Sequence, residues 1–335
     1  MFTDLFKRFT QLALLTIFLG LFITACSEDE SPINNNTIDE SKVLVEYLEA
    51  NGNYINTAAP SVVKASDVYT LLLTSPEKLY VIDIRTAEDF AKGHITGAFN
   101  VALANLLTHI KSLNTTQYDK IVIACYTGQT ASYGTALMRM LGYNNVEALK
   151  FGMASWNPDC KSKWSTAIGN SRATQFETTA NSKPVAGKLP VISTGKKSGA
   201  EILEARVNQL LLDGYTLATV KNSDVFDNLS KYFIINYWPE NQYLNPGHIP
   251  GAVQYTPKND LKSTTFLNTL PTDKEVVVYC YTGMTSSHVA AYLRLLGYNA
   301  KSLLFGANGM IYDLMVTNKL TVWTDDECHE YELAK

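Results

Sequence analysis

The sequence predicts an α/β chain made of two tandem copies of one module, each a central, mainly parallel sheet with helices on both faces. Three observations carry this. Residues 125–144, CYTGQTASYGTALMRMLGYN, align without gaps on residues 280–299, CYTGMTSSHVAAYLRLLGYN, and agree at 12 of 20 positions. Two further stretches, GHITGA from Gly93 with GHIPGA from Gly247 and VKASDV from Val63 with VKNSDV from Val220, keep the same order at offsets of 154 to 157 residues, the mark of an internal duplication. Short apolar runs alternate with helix-periodic segments, as when parallel strands are covered on both faces.

Taken in order, the chain opens with Lys7 and Arg8 ahead of an apolar run over 12–23 that is broken only by Thr16 and Gly20. A charged start followed by a run too short for a comfortable span predicts a secretory signal over 1–25. Ile23-Thr24-Ala25-Cys26 resembles a bacterial lipobox, in which Cys26 would be lipidated. The mature chain would then be anchored to a membrane of the bacterial cell envelope, on its periplasmic or surface-facing side. Residues 26–40, acidic and then Asn-rich, read as a polar tether.

Beyond the tether, 46% hydrophobic and 18% charged residues in 335 suit a folded chain of about two domains. A net charge of -4, with no basic cluster interleaved with aromatics, argues against nucleic acid as a partner. The expected partition is a first domain over 41–165, a linker over 166–199 rich in Ser, Thr, Ala, Gly and Lys, and a second domain over 200–335. Leading helices are predicted over 41–50 and 200–213.

In the first unit, Ser66 is a plausible N-cap for a short helix through Leu73. LYVIDI over 79–84 reads as a buried strand, and the Gly93–Ala98 stretch as a loop. Residues 102–113 have helical spacing, and IVIA over 121–124 is a second buried strand. A helix over 130–141 is stopped by Gly142, and a third strand starts at Val146. The second unit repeats this with strands near 232–235, 275–279 and 302–305.

Cys125 and Cys280 each stand at the carboxyl end of a buried strand, where parallel sheets bind ligands. The loops that follow are Tyr126-Thr127-Gly128-Gln129-Thr130 and Tyr281-Thr282-Gly283-Met284-Thr285, and Ala131 and Ser286 come next. Gly128 and Gly283 permit a positive φ. A loop curled around sulfur turns successive N–H groups inward, and the helix start adds positive potential. Both effects favour thiolate, so the expectation is a lowered cysteine pKa and a nucleophile. The threonine hydroxyls are further candidate donors. The other reading is a buried cysteine serving as a small apolar side chain.

These features resemble the rhodanese family of sulfurtransferases, in tandem form. They are Asp83-Ile84-Arg85, Glu88-Asp89-Phe90, the two Gly-His-Ile-x-Gly-Ala stretches, the two Cys-x-x-Gly loops and Phe151-Gly152…Trp156. The resemblance covers about 66–156 and 223–310. It implies that Cys125 and Cys280 are catalytic, with Arg85 and the residues of the two loops binding substrate. The thiolate takes sulfane sulfur from thiosulfate, a persulfide or a polysulfide, holds it as a persulfide, and passes it to cyanide or a thiol; the implied partner is a small sulfur-containing substrate or a persulfidated protein. No metal or organic cofactor is needed. Neither loop contains Lys or Arg, which favours a persulfide or polysulfide donor over dianionic thiosulfate. Ala131 and Ser286 stand where related phosphatases carry arginine, which argues against phosphate chemistry. Asn236 and Trp238 replace Asp83 and Arg85 in the second unit, so its activity or substrate is expected to differ. A non-turnover module for partner binding or sulfane-sulfur storage is the alternative.

Several residues are expected to lie outside this chemistry. His94 and His248 read as turn residues bonded to backbone, and Arg139 and Arg294 as solvated or ion-paired. His288 has no partner in the first unit and either tunes Cys280 or faces solvent. His109 and His329 form no zinc pattern. Cys160 and Cys328 have no counterparts in the other repeat and read as structural or incidental.

Overall fold

The computed structural model of the chain describes residues 38–335. The signal segment, Cys26 and residues 26–37 of the tether lie outside the described residues. Among the described residues no helix is long and apolar enough to cross a membrane.

The two predicted sheets are present, and each is wholly parallel. The first contains β1 (Val62–Val63), β2 (Leu79–Asp83), β3 (Phe99–Asn100), β4 (Lys120–Ala124) and β5 (Val146–Leu149) in the order β1-β5-β4-β2-β3. The second repeats it with β6 (Thr219–Val220), β7 (Tyr232–Asn236), β8 (Val253–Gln254), β9 (Glu275–Tyr279) and β10 (Ala300–Leu303) in the order β6-β10-β9-β7-β8. The cysteine strands β4 and β9 are central, and their apolar runs are buried from Ile121 to Ala124 and from Val276 to Tyr279. Burial on both faces explains why those segments are continuously apolar rather than alternating.

Several elements depart from expectation. The first short helix is Ala65–Thr74 with Lys64 as its N-cap, so Ser66 lies inside it and makes no cap bond. The helix expected over 102–113 is a 3₁₀ turn, Leu103–Asn105, followed by Leu106–Lys111. The strand placed near 302–305 is Ala300–Leu303, because Phe305 takes a left-handed φ of 61° that ends the run. The second leading helix begins at Gly199. Ser198 caps it in a reciprocal capping box with Glu201, a Ser-x-x-Glu signal that the periodicity alone did not use.

The two halves exchange arms, contrary to a simple bead-linker-bead partition. Residues just after the first unit pack on the second: Gly169 N–H donates to Asn308 O, and Glu177 and His248 exchange backbone hydrogen bonds. The C-terminal segment packs on the first: His94 and Ala334 exchange hydrogen bonds, and Trp156 Nε1 donates to Glu332 O. The segment 166–198 contains no helix or strand, yet Glu40 fixes it by accepting from Thr194 N, Thr194 Oγ1 and Gly195 N. The helices that follow the cysteine loops, Gln129–Met140 and Met284–Leu295, pack against one another at the centre. Crossing arms and paired central helices make 38–335 one compact unit.

His288 belongs to this centre, not to the surface. It is fully buried, and its Nδ1 lies 3.0 Å from Met284 O. Burial, aided by the charge of Arg139, pushes its pKa down to about 4 from 6.5. The unfolded chain therefore binds a proton that the folded chain refuses. Stability from the neutral imidazole is complete above pH 6.5 and is lost as pH falls toward 4, by about 3 kcal/mol at most. His288→Gln removes this dependence. Urea unfolding at pH 4.5 and 7.5 should show wild type losing about 2 kcal/mol more than the variant; equal losses would contradict the buried neutral imidazole.

Candidate active site

Each cysteine loop is a short turn from strand to helix. Gly128 at φ 82° and Gly283 at φ 81° are the helix N-caps, and their left-handed backbone bends the loop back over the sulfur. Cys125 Sγ receives N–H from Gly128 at 3.2 Å and from Ala131 at 3.3 Å. Cys280 Sγ receives Ser286 N–H at 3.3 Å, and its own S–H faces Ser286 Oγ at 3.5 Å. The sulfurs thus face inward-pointing amides, as the loop pattern predicts. The threonine hydroxyls do not reach either sulfur among the described residues.

The expected pKa shift at Cys125 is corrected by its surroundings. Burial pushes the Cys125 thiol above its ordinary value, and the amides of Ala131, Thr127 and Gly128 offset this only in part. Desolvation wins because Cys125 is only 2% exposed. Alkylation of Cys125 by iodoacetamide should therefore climb steadily from pH 7 to beyond pH 9. A plateau already reached at pH 7 would contradict this.

A second loop locks the first. Gly152, at φ 64°, lets the chain nest on the cysteine loop, where Met153 N–H donates to Cys125 O at 2.7 Å. A Cβ at Gly152 would strike Cys125 O and would lie 2.6 Å from Gly128 N and 2.7 Å from Thr127 N. Gly306 repeats this packing against Cys280 O and Gly283 N. The Phe-Gly pairs of the sequence are therefore clamps on the two loops.

The loops are also wedged against each other. Gln129 Oε1 accepts Phe305 N–H at 2.8 Å, and Met284 Sδ accepts Phe151 N–H at 3.3 Å. Both side chains are buried, so the variable position of the CYTG-x-T pattern serves the seam between repeats rather than facing substrate. Trp164 and Trp323 stack at 5.7 Å, edge-on to Phe151 and Phe305. Trp164 Nε1 donates to Thr127 O. Thr127 and Thr282 are buried, whereas Thr130 and Thr285 are half-buried.

The two mouths differ. In the first repeat, Arg85 pairs with buried Asp83 (Nη2–Oδ2 2.6 Å, Nε–Oδ1 3.0 Å) and also donates to Gly93 O. Arg85 thus borders the site but is held chiefly by protein. Beside it opens a cavity of about 360 Å³ lined by Arg85, Lys92 and Lys163 together with Asp89, Asp159, Tyr126, Met153 and Cys160, with Lys92 paired to Glu88 and Asp89. Tyr126 forms its lip, with its hydroxyl on Asp89 at 2.5 Å and Lys163 Nζ 4.1 Å from its ring centre. The cations missing from the loop are therefore supplied by other segments. Sequence reading missed Lys92 and Lys163, because nothing in linear spacing ties them to Cys125.

In the second repeat the corresponding residues are apolar. Trp238 replaces Arg85, Pro246 precedes Gly247 as Lys92 precedes Gly93, and Val322 precedes Trp323 as Lys163 precedes Trp164. Trp238 is buried and stacks on Tyr281 at 5.1 Å, and the Tyr281 hydroxyl bonds to Gln242. Asn236 no longer serves an ion pair; its Nδ2 donates to Tyr279 Oη at 2.7 Å. Burial pushes the Tyr281 hydroxyl up to about 12.

The remaining residues take structural places. His94 and His248 hold Phe90 O and Tyr243 O through Nδ1, each at 2.9 Å. Arg139 bonds Asn144 O, and Arg294 bonds Leu217 O and lies 3.8 Å from Asp213. His109 meets the Tyr80 hydroxyl at 2.9 Å, and His329 stacks on Tyr331.

Comparison with known proteins agrees with this geometry. The rhodanese-like domain matches residues 65–159 and 223–310. YrkF of Bacillus subtilis is 26% identical over 118 residues, covering 35% of this chain and 63% of that protein, so this chain spans under two thirds of its length. The thiosulfate sulfurtransferase GlpE of Pseudomonas fluorescens is 32% identical over 76 residues, covering 23% of this chain and 68% of that protein. Among solved structures, a thiosulfate sulfurtransferase from Pseudomonas aeruginosa aligns with 85% of this chain and 48% of its own, at 17% identity and a TM-score of 0.29. With more than half of its length matched in two separate stretches, the chain belongs to the rhodanese-like family.

Proposed function

We propose that the chain is a sulfurtransferase whose working site is Cys125. The observation that carries this reading is the Cys125 sulfur seated under two loop amides, with the next residue, Tyr126, lining a cavity that carries Arg85, Lys92 and Lys163 against Asp89 and Asp159. Cys125 attacks the outer sulfur of a sulfane donor; the donor's S–S bond breaks, and the electron pair leaves with sulfite or a thiolate. The loop amides then stabilise the anionic persulfide, and an acceptor thiol or cyanide removes the outer sulfur. The raised thiol pKa requires a proton to leave on attack, and an entering anion is held by the rim rather than by the loop.

Those rim cations support an anionic donor, so the lack of Lys or Arg in the loop does not disfavour thiosulfate. Two relatives bearing the name thiosulfate sulfurtransferase are consistent with that donor. The apolar, Trp238-covered mouth supports a non-turnover role for the second repeat, as a scaffold that clamps the first. The Cys26 motif supports attachment to the cell envelope.

Steady-state transfer from thiosulfate to cyanide should show parallel double-reciprocal lines, the pattern of a covalent intermediate. Lys163→Gln should raise the KM for thiosulfate about fivefold to tenfold with little change in kcat. Intersecting lines would contradict the persulfide route, and an unchanged KM would remove the rim from donor binding.

A further inference from the structure

The duplicated stretch VKNSDV brings Lys221 and Asp224 to the seam between the repeats, where a second cavity, of about 500 Å³, opens. One wall is the first cysteine loop, through Tyr126, Thr127 and Thr130. The other comes from the second repeat, through Thr216, Lys221 and Asp224. Cys125 is not among the lining residues, so this cavity is a place to hold a molecule and not the reacting centre. Lys163 stands at its border with the first repeat's own cavity. Lys163 and Tyr126 line both, with Lys163 Nζ 4.1 Å from the Tyr126 ring centre.

The walls are fixed to one another without a ligand. Gln129 Oε1 accepts Phe305 N–H across the seam at 2.8 Å, and Trp164 Nε1 donates to Thr127 O at 3.1 Å. A cavity held in this way asks little further ordering of the protein on binding. Its volume falls in the range of roughly 300–1,000 Å³ typical of small-molecule sites. Thiosulfate or cyanide would leave most of it empty.

The charges on its walls are unused. Among the described residues Lys163, Lys221 and Asp224 enter no ion pair, and all three are exposed. Lys92 differs, since Glu88 and Asp89 already neutralise it. The seam cavity thus offers two ammonium groups, one carboxylate and the hydroxyls of Thr130 and Thr216. A dianion without a cationic group would be repelled by Asp224. A molecule with two carboxylates and one ammonium answers all three charges. Lys221 and Asp224 repeat Lys64 and Asp67 of the first unit, but Val322 stands opposite Lys163 in the alignment, so the duplication repeats two of the three charges and not the third.

We propose that the seam cavity binds a small zwitterionic diacid, of the size of an acidic amino acid or dipeptide, with its carboxylates on Lys163 and Lys221 and its ammonium on Asp224. The second repeat then has a task of its own, recognition of a molecule that also touches the first cysteine loop. The site goes beyond the transfer reading and stands independently of it.

The test is titration calorimetry of the full chain with glutamylglycine, which carries two carboxylates and one ammonium. Wild type should show one saturable site. Lys221→Ala and Asp224→Asn should each weaken binding about threefold to fivefold, the worth of an exposed ion pair. The N-acetylated peptide lacks the ammonium and should bind wild type more weakly by a similar factor. It should bind Asp224→Asn no worse than wild type, because the partner of that carboxylate is already gone. Lys64→Ala, at the matching place in the first unit, should bind glutamylglycine as wild type does. No saturable binding, or binding that both Lys221→Ala and Asp224→Asn leave intact, overturns the site. An N-acetylated peptide that binds wild type as tightly as its parent overturns the assignment of the ligand class.

Discussion

Cys125→Ala is expected to lower sulfane-sulfur transfer by about 10³-fold or more, while Cys280→Ala keeps at least half of wild-type activity. The two cysteines stand on equivalent strands in loops of nearly identical sequence, so sequence alone treats them alike. The asymmetry comes from what surrounds them. Next to Cys125, Tyr126 lines a cavity with Arg85, Lys92 and Lys163, whereas next to the equally buried Cys280, Tyr281 stacks on buried Trp238. Removing a covalent nucleophile removes the whole two-step route, and binding alone restores little of it. Steady-state rates of the two single variants and of the double variant would check this. A large loss from Cys280→Ala alone would make the second site a partner in turnover rather than a scaffold.

Gly152→Ala should cost the next largest effect, although Gly152 touches no substrate. The new methyl group would meet the Cys125 carbonyl and the amides of Gly128 and Thr127, the last two within 2.7 Å. These are backbone atoms and cannot swing aside. The loop must shift, and a displacement of about 1 Å at a reacting group typically costs about 10²-fold in rate. Overpacking and a positive φ together should lower stability by about 2–4 kcal/mol. Gly142→Ala is the matched control, because its φ of 96° is equally unfavourable but nothing lies within 4 Å. It should lose about 1 kcal/mol and no activity. Urea unfolding with single-turnover transfer on both variants separates the two effects. Equal behaviour of the pair would show that the Phe-Gly clamp does not shape the loop.

Much of this was legible before any coordinates. The duplication fixes two modules, and the runs at 79–84, 121–124 and 275–279 announce central strands because a strand buried on both faces must be apolar throughout. The two-residue strands β1, β3, β6 and β8 were not legible, since two residues carry no periodicity and form only against a completed sheet edge. The cysteine loop was legible as a motif, and its amides do face the sulfur. The pKa direction was not, because the motif names the donors but not the burial that outweighs them. Gln129 and Met284 read as substrate contacts from their place in the loop. They became seam residues because the duplicated helices pack face to face, which only the assembled pair reveals. His288 likewise reads as a polar residue near a helix start and ends buried for the same reason. Lys163 and Lys92 escaped because the cavity is assembled from segments far apart in the chain. The arm exchange escaped too, since a Ser/Thr-rich stretch without periodicity looks the same whether it hangs free or crosses to the other repeat.

The central claim is that the inward amides and cationic mouth make Cys125 the residue that receives sulfur. Mass mapping after loading with excess thiosulfate and no acceptor tests it most directly. The account predicts that a 32 Da increment will sit on the Cys125 peptide of nearly every chain, with Cys280 unmodified. Sulfur found on Cys280 instead, or on neither loop cysteine while transfer activity persists, would contradict it.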